Sequence, residues 1–369
     1  MDSPGTSNRR EFLRGQAAVR ALSNLAQAAV GDAPQGDAGP SPQPYLVQMK
    51  RWAMACDFEL YLNAGQYAEA TEVGLEALDL VEALEAQLTV YRDSSELSQI
   101  NQHAAAGPVA VEPRLFALLA MAQTLHRETG GAYDITSGPL SKVWGFHRRA
   151  GGIPAEHDLQ AALANVGGDH VELDPQTLTV RFTQPGVELN LGSIGKGYAL
   201  DRCEELMTAG GVNDFLWHGG RSSVLARGNS GADGPQAGGW IVGVGDPLGG
   251  NRRLAEIRLS DRALATSGSS VQFFRYQGKR YGHILDPRTG WPAEGVFSAT
   301  VVAPTAAAAD ALSTAFYVLG VDEAIRYGER HPEIGALLIF PSPSGSKVVV
   351  ETVGLTPEDW RLCEQVAAS

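Results

Sequence analysis

Residues 188–201 read ELNLGSIGKGYALD, and this stretch decides how the chain folds around its site. An apolar-alternating run, Val187, Leu189 and Leu191, predicts a strand. It breaks into Gly192-Ser193-Ile194-Gly195-Lys196-Gly197, and a helical pattern follows through Tyr198, Ala199, Leu200, Cys203, Leu206 and Met207. A strand that runs through a glycine-rich turn into a helix points backbone N–H groups at whatever lies in the turn. With a lysine inside it, the turn suits a phosphate or diphosphate. The spacing is neither that of a Walker loop nor that of a dinucleotide fingerprint. A plain glycine turn with a solvated lysine explains the same residues.

Outward from this turn the chain reads as mixed. A long amphipathic helix is expected over 68–90, with Leu75, Leu78, Val81, Leu84 and Leu88 on one side and a solvated acidic face on the other. A second helix starts at Pro113 and ends at Gly130-Gly131. His170–Leu173 and Leu178–Phe182 alternate around DPQT and predict a hairpin. Short strands are expected at 215–217, 240–244, 257–259, 273–276, 299–303, 336–340 and 347–351, with a helix over 306–319. Without regular βαβ alternation, the fold class is α+β, with mixed, largely antiparallel sheets and packed helices. The glycine-rich loops 228–239 and 245–253 are expected to be mobile.

Bulk properties narrow the function. The 369 residues hold 29 basic and 42 acidic side chains, a net charge of −13, which argues against general nucleic-acid binding. No apolar run is long enough to cross a bilayer. Cys56, Cys203 and Cys363 are far apart and form no CxxC pair, so neither a disulfide framework nor a zinc site is indicated. Residues 31–44, GDAPQGDAGPSPQP, read as a linker, so folding is expected to begin near Tyr45.

Three further segments carry chemistry. Asp310 and Thr314 lie four apart on a helix and share a face, where a carboxylate and a hydroxyl can hold a hard cation such as Mg²⁺. A buried threonine bonding back to its own helix gives the same pattern. His283-Ile284-Leu285-Asp286-Pro287-Arg288-Thr289-Gly290 reads as a strand entering a turn, with His283 either a general base or a satisfied polar residue. Gly130-Gly131-Ala132-Tyr133-Asp134-Ile135-Thr136 places an acid among small residues, either to admit a ring or as a helix C-cap loop.

Taken in order, SELSQIN (95–101), GGAYDIT, WGF (144–146), LGSIGKGYALD, HGG (218–220), ATSG (265–268), HILDPRTG and ADALSTA (309–315) closely resemble the FAD:protein FMN transferase (ApbE) family. The resemblance runs from about Met49 to Phe340. It implies a T-fold-type α+β domain over 45–352 with FAD in a cleft, a tail over 1–44 and an extension over 353–369. It implies that FAD is split at its diphosphate, that FMN is joined to a Thr or Ser hydroxyl of an acceptor flavoprotein, and that AMP leaves. By the same resemblance Met54, Tyr91, Ala132, Tyr133, Asp134, Asn190, Lys196 and Ile284 contact FAD. Asp310, Thr314 and the backbone oxygen of Ser193 hold Mg²⁺, and His283 activates the acceptor hydroxyl. The family usually has an aspartate at the place of Asn190, GGD where this chain has Gly219-Gly220-Arg221, SGD where it has Ser267-Gly268-Ser269, and MGT where it has Met54-Ala55-Cys56. Three acids have become neutral or basic, so slower transfer is expected. An FAD diphosphatase, with water as acceptor, and a non-catalytic FAD-binding protein are the alternatives.

The segment Asn8-Arg9-Arg10-Glu11-Phe12-Leu13-Arg14 looks like a twin-arginine export signal followed by a weakly apolar stretch. The expected location is the periplasm or cell envelope if the signal functions, and the cytoplasm otherwise. If it functions, mass spectrometry of the native protein finds a mature chain lacking roughly the first thirty residues, the usual length of such signals. An intact N-terminus in the cytoplasmic fraction contradicts export.

Overall fold

The computed structural model describes residues 45–148, 150–231, 238–248, 252–268, 272–342 and 348–363. The twin-arginine segment, the linker, Ser269, and parts of the two glycine-rich loops lie outside the described residues.

The chain opens with the hairpin of β1 (Leu46–Ala53) and β2 (Cys56–Asn63). Then come α1 (Ala70–Leu88), α2 (Glu96–His103), β3 (Val109–Ala110), α3 (Pro113–Glu128), α4 (Gly138–Val143) and α5 (Glu156–Leu163). The hairpin of β4 (Val171–Asp174) and β5 (Thr179–Phe182) precedes α6 (Gly195–Ala209). Strands β6 (Phe215–Gly219), β7 (Ser223–Arg227), β8 (Trp240–Gly245), β9 (Arg253–Leu259), β10 (Arg262–Gly268), β11 (Phe273–Tyr276), β12 (Lys279–Gly282) and β13 (Ser298–Ala303) follow. The chain closes through α7 (Ala306–Leu319), α8 (Val321–Arg330), β14 (Gly335–Pro341), β15 (Val348–Val353) and β16 (Trp360–Leu362).

Eight strands form the central sheet in the order β1-β2-β6-β7-β10-β13-β14-β15, every pairing antiparallel. This is the α+β class that the sequence implies. Alternation sends Leu60, Trp217, Leu225, Ala265 and Leu338 to one face, where they form the main core with α1, α6 and α7. It sends Leu216, Val224, Leu264, Val302 and Leu337 to the other, against β8 and β9. The latter belong to a three-stranded sheet, β16-β9-β8, so the C-terminal stretch beyond residue 352 contributes a strand to the body.

The expected helices form, with one change of face. Along α1 the inward stripe is Ala70, Gly74, Ala77, Leu78, Val81, Leu84 and Leu88, while Leu75 points to solvent at 47% exposure. Small residues replace it because the helix lies close to the sheet: a Cβ on Gly74 would sit 2.8 Å from Leu60 Cδ2.

Two expected strands are not strands. Residues 187–191 join no sheet; the Asn101 side chain takes the place of a partner strand, accepting from Leu189 N at 2.8 Å and donating to Leu189 O at 2.9 Å. Residues 283–285 lie just past β12 and make only the isolated bridge Leu285–Pro292. Strands β1, β2, β7 and β10 were not read in advance, although β2 alternates cleanly, with Phe58, Leu60 and Leu62 buried between Asp57, Glu59 and Tyr61.

Helices α6 and α7 meet more closely than ordinary side chains permit. A Cβ on Gly197 would lie 2.1 Å from Ala306 O. Alanine is the better helix former by about 1 kcal/mol, but overpacking against backbone costs about 1–3 kcal/mol or more. Gly197→Ala is therefore expected to lower the unfolding free energy by about 2 kcal/mol in urea titration, despite its gain in helix propensity.

Candidate functional site

The α6–α7 junction builds the floor of a cleft of about 870 Å³. Asp201, one turn after Gly197 on α6, accepts from Ala306 N at 2.6 Å and from Ala307 N at 2.9 Å, so it caps the start of α7. Thr305 adds the ordinary cap, accepting from Ala308 N. In return Asp310 of α7 accepts from Gly197 N at 2.7 Å, and from Ser223 Oγ of β7 at 2.6 Å. The two helix starts are thus bound reciprocally by two carboxylates, Asp310 buried and Asp201 partly so.

Burial raises the Asp310 carboxyl above its ordinary value, while neighbouring Lys196 and its two hydrogen bonds pull it down. Each Asp310 oxygen uses one lone pair on a protein donor and keeps another. Thr314 Oγ1 bonds back to Asp310 O at 3.3 Å and meets Ser267 Oγ at 3.1 Å. Among the described residues there is no cluster of three or more His, Cys, Asp or Glu able to hold a metal. A single buried carboxylate with hydroxyl and carbonyl oxygens fits a hard cation that takes its remaining ligands from phosphate and water.

The glycine turn is less open than its sequence implies. Gly192 N is taken by Asn190 Oδ1, Ile194 N and Gly195 N by Leu191 O, and Gly197 N by Asp310. What the turn offers an anion is mainly the ammonium of Lys196 in the first turn of α6, rather than a cradle of amides. Asn190 holds this turn, and its own N–H donates to Ile135 O at 2.7 Å.

Of the residues singled out in the sequence, Tyr91, Ala132, Tyr133, Asp134, Asn190, Ser193, Lys196, His283, Ile284, Asp310 and Thr314 line this one cleft. Met54 does not line it. It occupies the two-residue turn between β1 and β2 and packs against the core; Met54 and Ala55 both have positive φ, 48° and 59°. The Asp134 carboxylate is committed inside the protein, with Thr136 N and Oγ1 on one oxygen and His126 Nδ1 3.1 Å from the other. That bond raises His126 above its usual range. Tyr133 is buried, its hydroxyl within 3.5 Å of Ser193 Oγ. Tyr91 stands at the rim, 74% exposed.

His283 Nδ1 lies 3.1 Å from Gln272 O. A carbonyl only accepts, so Nδ1 carries the proton and the lone pair of the neutral ring sits on Nε2. Burial first, and Lys196 after it, hold this histidine below its ordinary 6.5, against the pull of the Gln272 bond.

Asp201 and Ser223 were not legible as site residues. Asp201 is four residues after Gly197, on the face where the helices touch, and a carboxylate on a close-packed helix face is the signal that could have found it. Nothing in the sequence marks Ser223.

The model of the ApbE family matches residues 54–338. An FAD:protein FMN transferase of Treponema pallidum is 35% identical over 279 residues, covering 72% of this chain and 76% of the relative. One from Vibrio cholerae is 30% identical, covering 78% and 85%. The solved flavin transferase ApbE from Vibrio cholerae superposes with a TM-score of 0.74 at 27% identity, over 84% of this chain and 97% of that one. The chain belongs to the ApbE family.

The capping carboxylate makes stability depend on pH. Burial pushes Asp201 up to about 7 from its ordinary 3.8, although the bonds from Ala307 and Ala306 pull the other way. A folded value above the unfolded one means a contribution present in full below the unfolded value and lost as pH rises through the folded one. The rise from 3.8 to about 7 corresponds to on the order of 4 kcal/mol. Urea titrations between pH 4 and 8 should show unfolding free energy declining less steeply in Asp201→Asn than in the wild type. Parallel profiles would mean that Asp201 does not titrate in this window.

Proposed function

We propose that this protein is an Mg²⁺-dependent FAD:protein FMN transferase, joining FMN from FAD to a Thr or Ser hydroxyl of an acceptor protein and releasing AMP. The observation that carries the reading is a neutral, oriented imidazole, His283, in the same cleft as Lys196 and the buried Asp310.

In the reaction the acceptor oxygen attacks the FMN phosphorus and its proton passes to Nε2 of His283. The bond from that phosphorus to the bridging oxygen breaks, and the bridging oxygen departs with AMP. Lys196 stabilises the negative charge that collects on the phosphates. Asp310, Thr314 and the backbone oxygen of Ser193 would hold Mg²⁺, which when bound neutralises the diphosphate as a Lewis acid. Asn190 keeps the glycine turn in place beside Lys196, and Ala132, Tyr133 and Ile284 supply buried walls for FAD. Arg221, on the turn between β6 and β7, adds a second cation to the lining. Its planar fork suits phosphate oxygens.

The test is incubation of the chain with FAD, Mg²⁺ and a protein bearing an acceptor threonine. Transfer gives the acceptor the mass of an added FMN group and an equal amount of AMP. Free FMN and AMP with unmodified acceptor would mean a diphosphatase, and bound, unchanged FAD a binding protein. In the same assay Asp310→Ala should lower Mg²⁺-stimulated AMP release by about 100-fold or more, because the one carboxylate of the metal site is lost. Equal rates would remove Asp310 from that role.

A further inference from the structure

Strands β11 and β12 form a two-stranded hairpin that, among the described residues, joins no larger sheet. Its open end runs straight into the site. Gln272, just before β11, and His283, just after β12, both line the cleft. Gln272 O accepts from His283 N at 3.3 Å, which carries the pairing one step beyond the strands. One face of the hairpin is anchored. Phe274 and Tyr281 stack across the strands with centroids 5.2 Å apart, and both meet Trp144, at 6.2 Å and 6.0 Å. On the same side Lys279 is paired with Glu294 at 2.8 Å.

The other face is exposed and basic. Alternation puts Phe273, Arg275 and Arg280 on it, and all three are exposed. The register sets Arg275 directly opposite Arg280. Like charges facing each other across a strand pair cost stability, and a two-stranded hairpin has little to spare. The Arg280 guanidinium lies over the Phe273 ring, 4.0 Å from its centroid. Phe146, which packs on Phe274, leads into the exposed Arg148 beside this face. Residues 272–283 hold no Asp or Glu, in a chain whose net charge is −13.

A repulsion that the fold does not need marks a surface kept for a ligand. The acceptor hydroxyl must reach Nε2 of His283, so the acceptor chain enters beside this hairpin. The negative charge of the chain as a whole repels an acidic protein, whereas this face attracts one and steers it to the base. We propose that the face bearing Phe273, Arg275 and Arg280 docks the acceptor protein through acidic residues next to its modified Thr or Ser. The inference rests on the transferase reading above.

The experiment is titration of the FAD-loaded full chain with two labelled synthetic peptides, each with a central threonine, one flanked by aspartates and the other by asparagines. The wild type should bind the aspartate peptide about fivefold more tightly, the effect of two exposed ion pairs, and added salt should erase the difference. The double substitution Arg275→Ala/Arg280→Ala should bind both peptides alike and leave the FAD Kd unchanged. Arg275→Ala alone should keep or raise the wild-type thermal midpoint, because the opposed charge is relieved. A lowered midpoint makes the arginine structural and overturns the docking face. Equal binding of the two peptides by the wild type, binding of neither, or a preference that persists in the double substitution also overturns it. So does wild-type binding to phosphatidylglycerol vesicles that the double substitution abolishes, with no preference between peptides, since the face then belongs to a membrane. In these cases wild-type transfer of FMN to a whole acceptor protein leaves the enzyme reading standing. A wild type that frees FMN and AMP without modifying the acceptor overturns that reading, and the docking face with it.

Discussion

The close crossing of α6 and α7 is the constraint on which the rest of the site depends. Gly197 lets the two backbones touch, and Asp201 and Asp310 then tie each helix to the other's first turn. This fixes three things together: the place of Lys196, the inward aim of Asp310, and the start of the helix that carries Thr314. Burying two carboxylates near each other is costly, and each is offset by backbone N–H donors at a helix start, where the local dipole favours negative charge. The same bonds that hold the fold together therefore keep a carboxylate ready at the cleft, with spare lone pairs for a cation.

The central sheet works as a partition. Its helical face carries the charged half of the cleft, and its other face, roofed by β8, carries the neutral half. The cleft bends round the strand ends, at the β6–β7 turn and at Gly268 and Ser298, rather than passing through a layer. The sheet stays continuous as a result, and the site is formed without breaking its ladder.

Much of this was legible before any coordinates. The amphipathic period of α1, the proline start of α3, and the pair Asp310–Thr314 one helical turn apart all read directly from local rules. Other parts did not, because they depend on contacts distant in sequence. Residues 187–191 alternate like a strand, yet their partner is the side chain of Asn101, which no periodicity reveals. The amides of the glycine turn looked available, but Asn190 and Asp310 take several of them. Asp134 lines the cleft, and no periodicity reveals that its oxygens also bind Thr136 and His126 inside the protein. Met54, carried over from the family pattern, lies on a hairpin turn outside the lining.

A crystal structure of the chain with FAD and Mg²⁺ bound tests the account most directly. The account predicts the diphosphate beside Lys196 at the first turn of α6, and the metal at about 2.1 Å from an oxygen of Asp310, the usual Mg²⁺ distance. A diphosphate bound away from the α6–α7 junction, or a metal with no contact to Asp310, would contradict it.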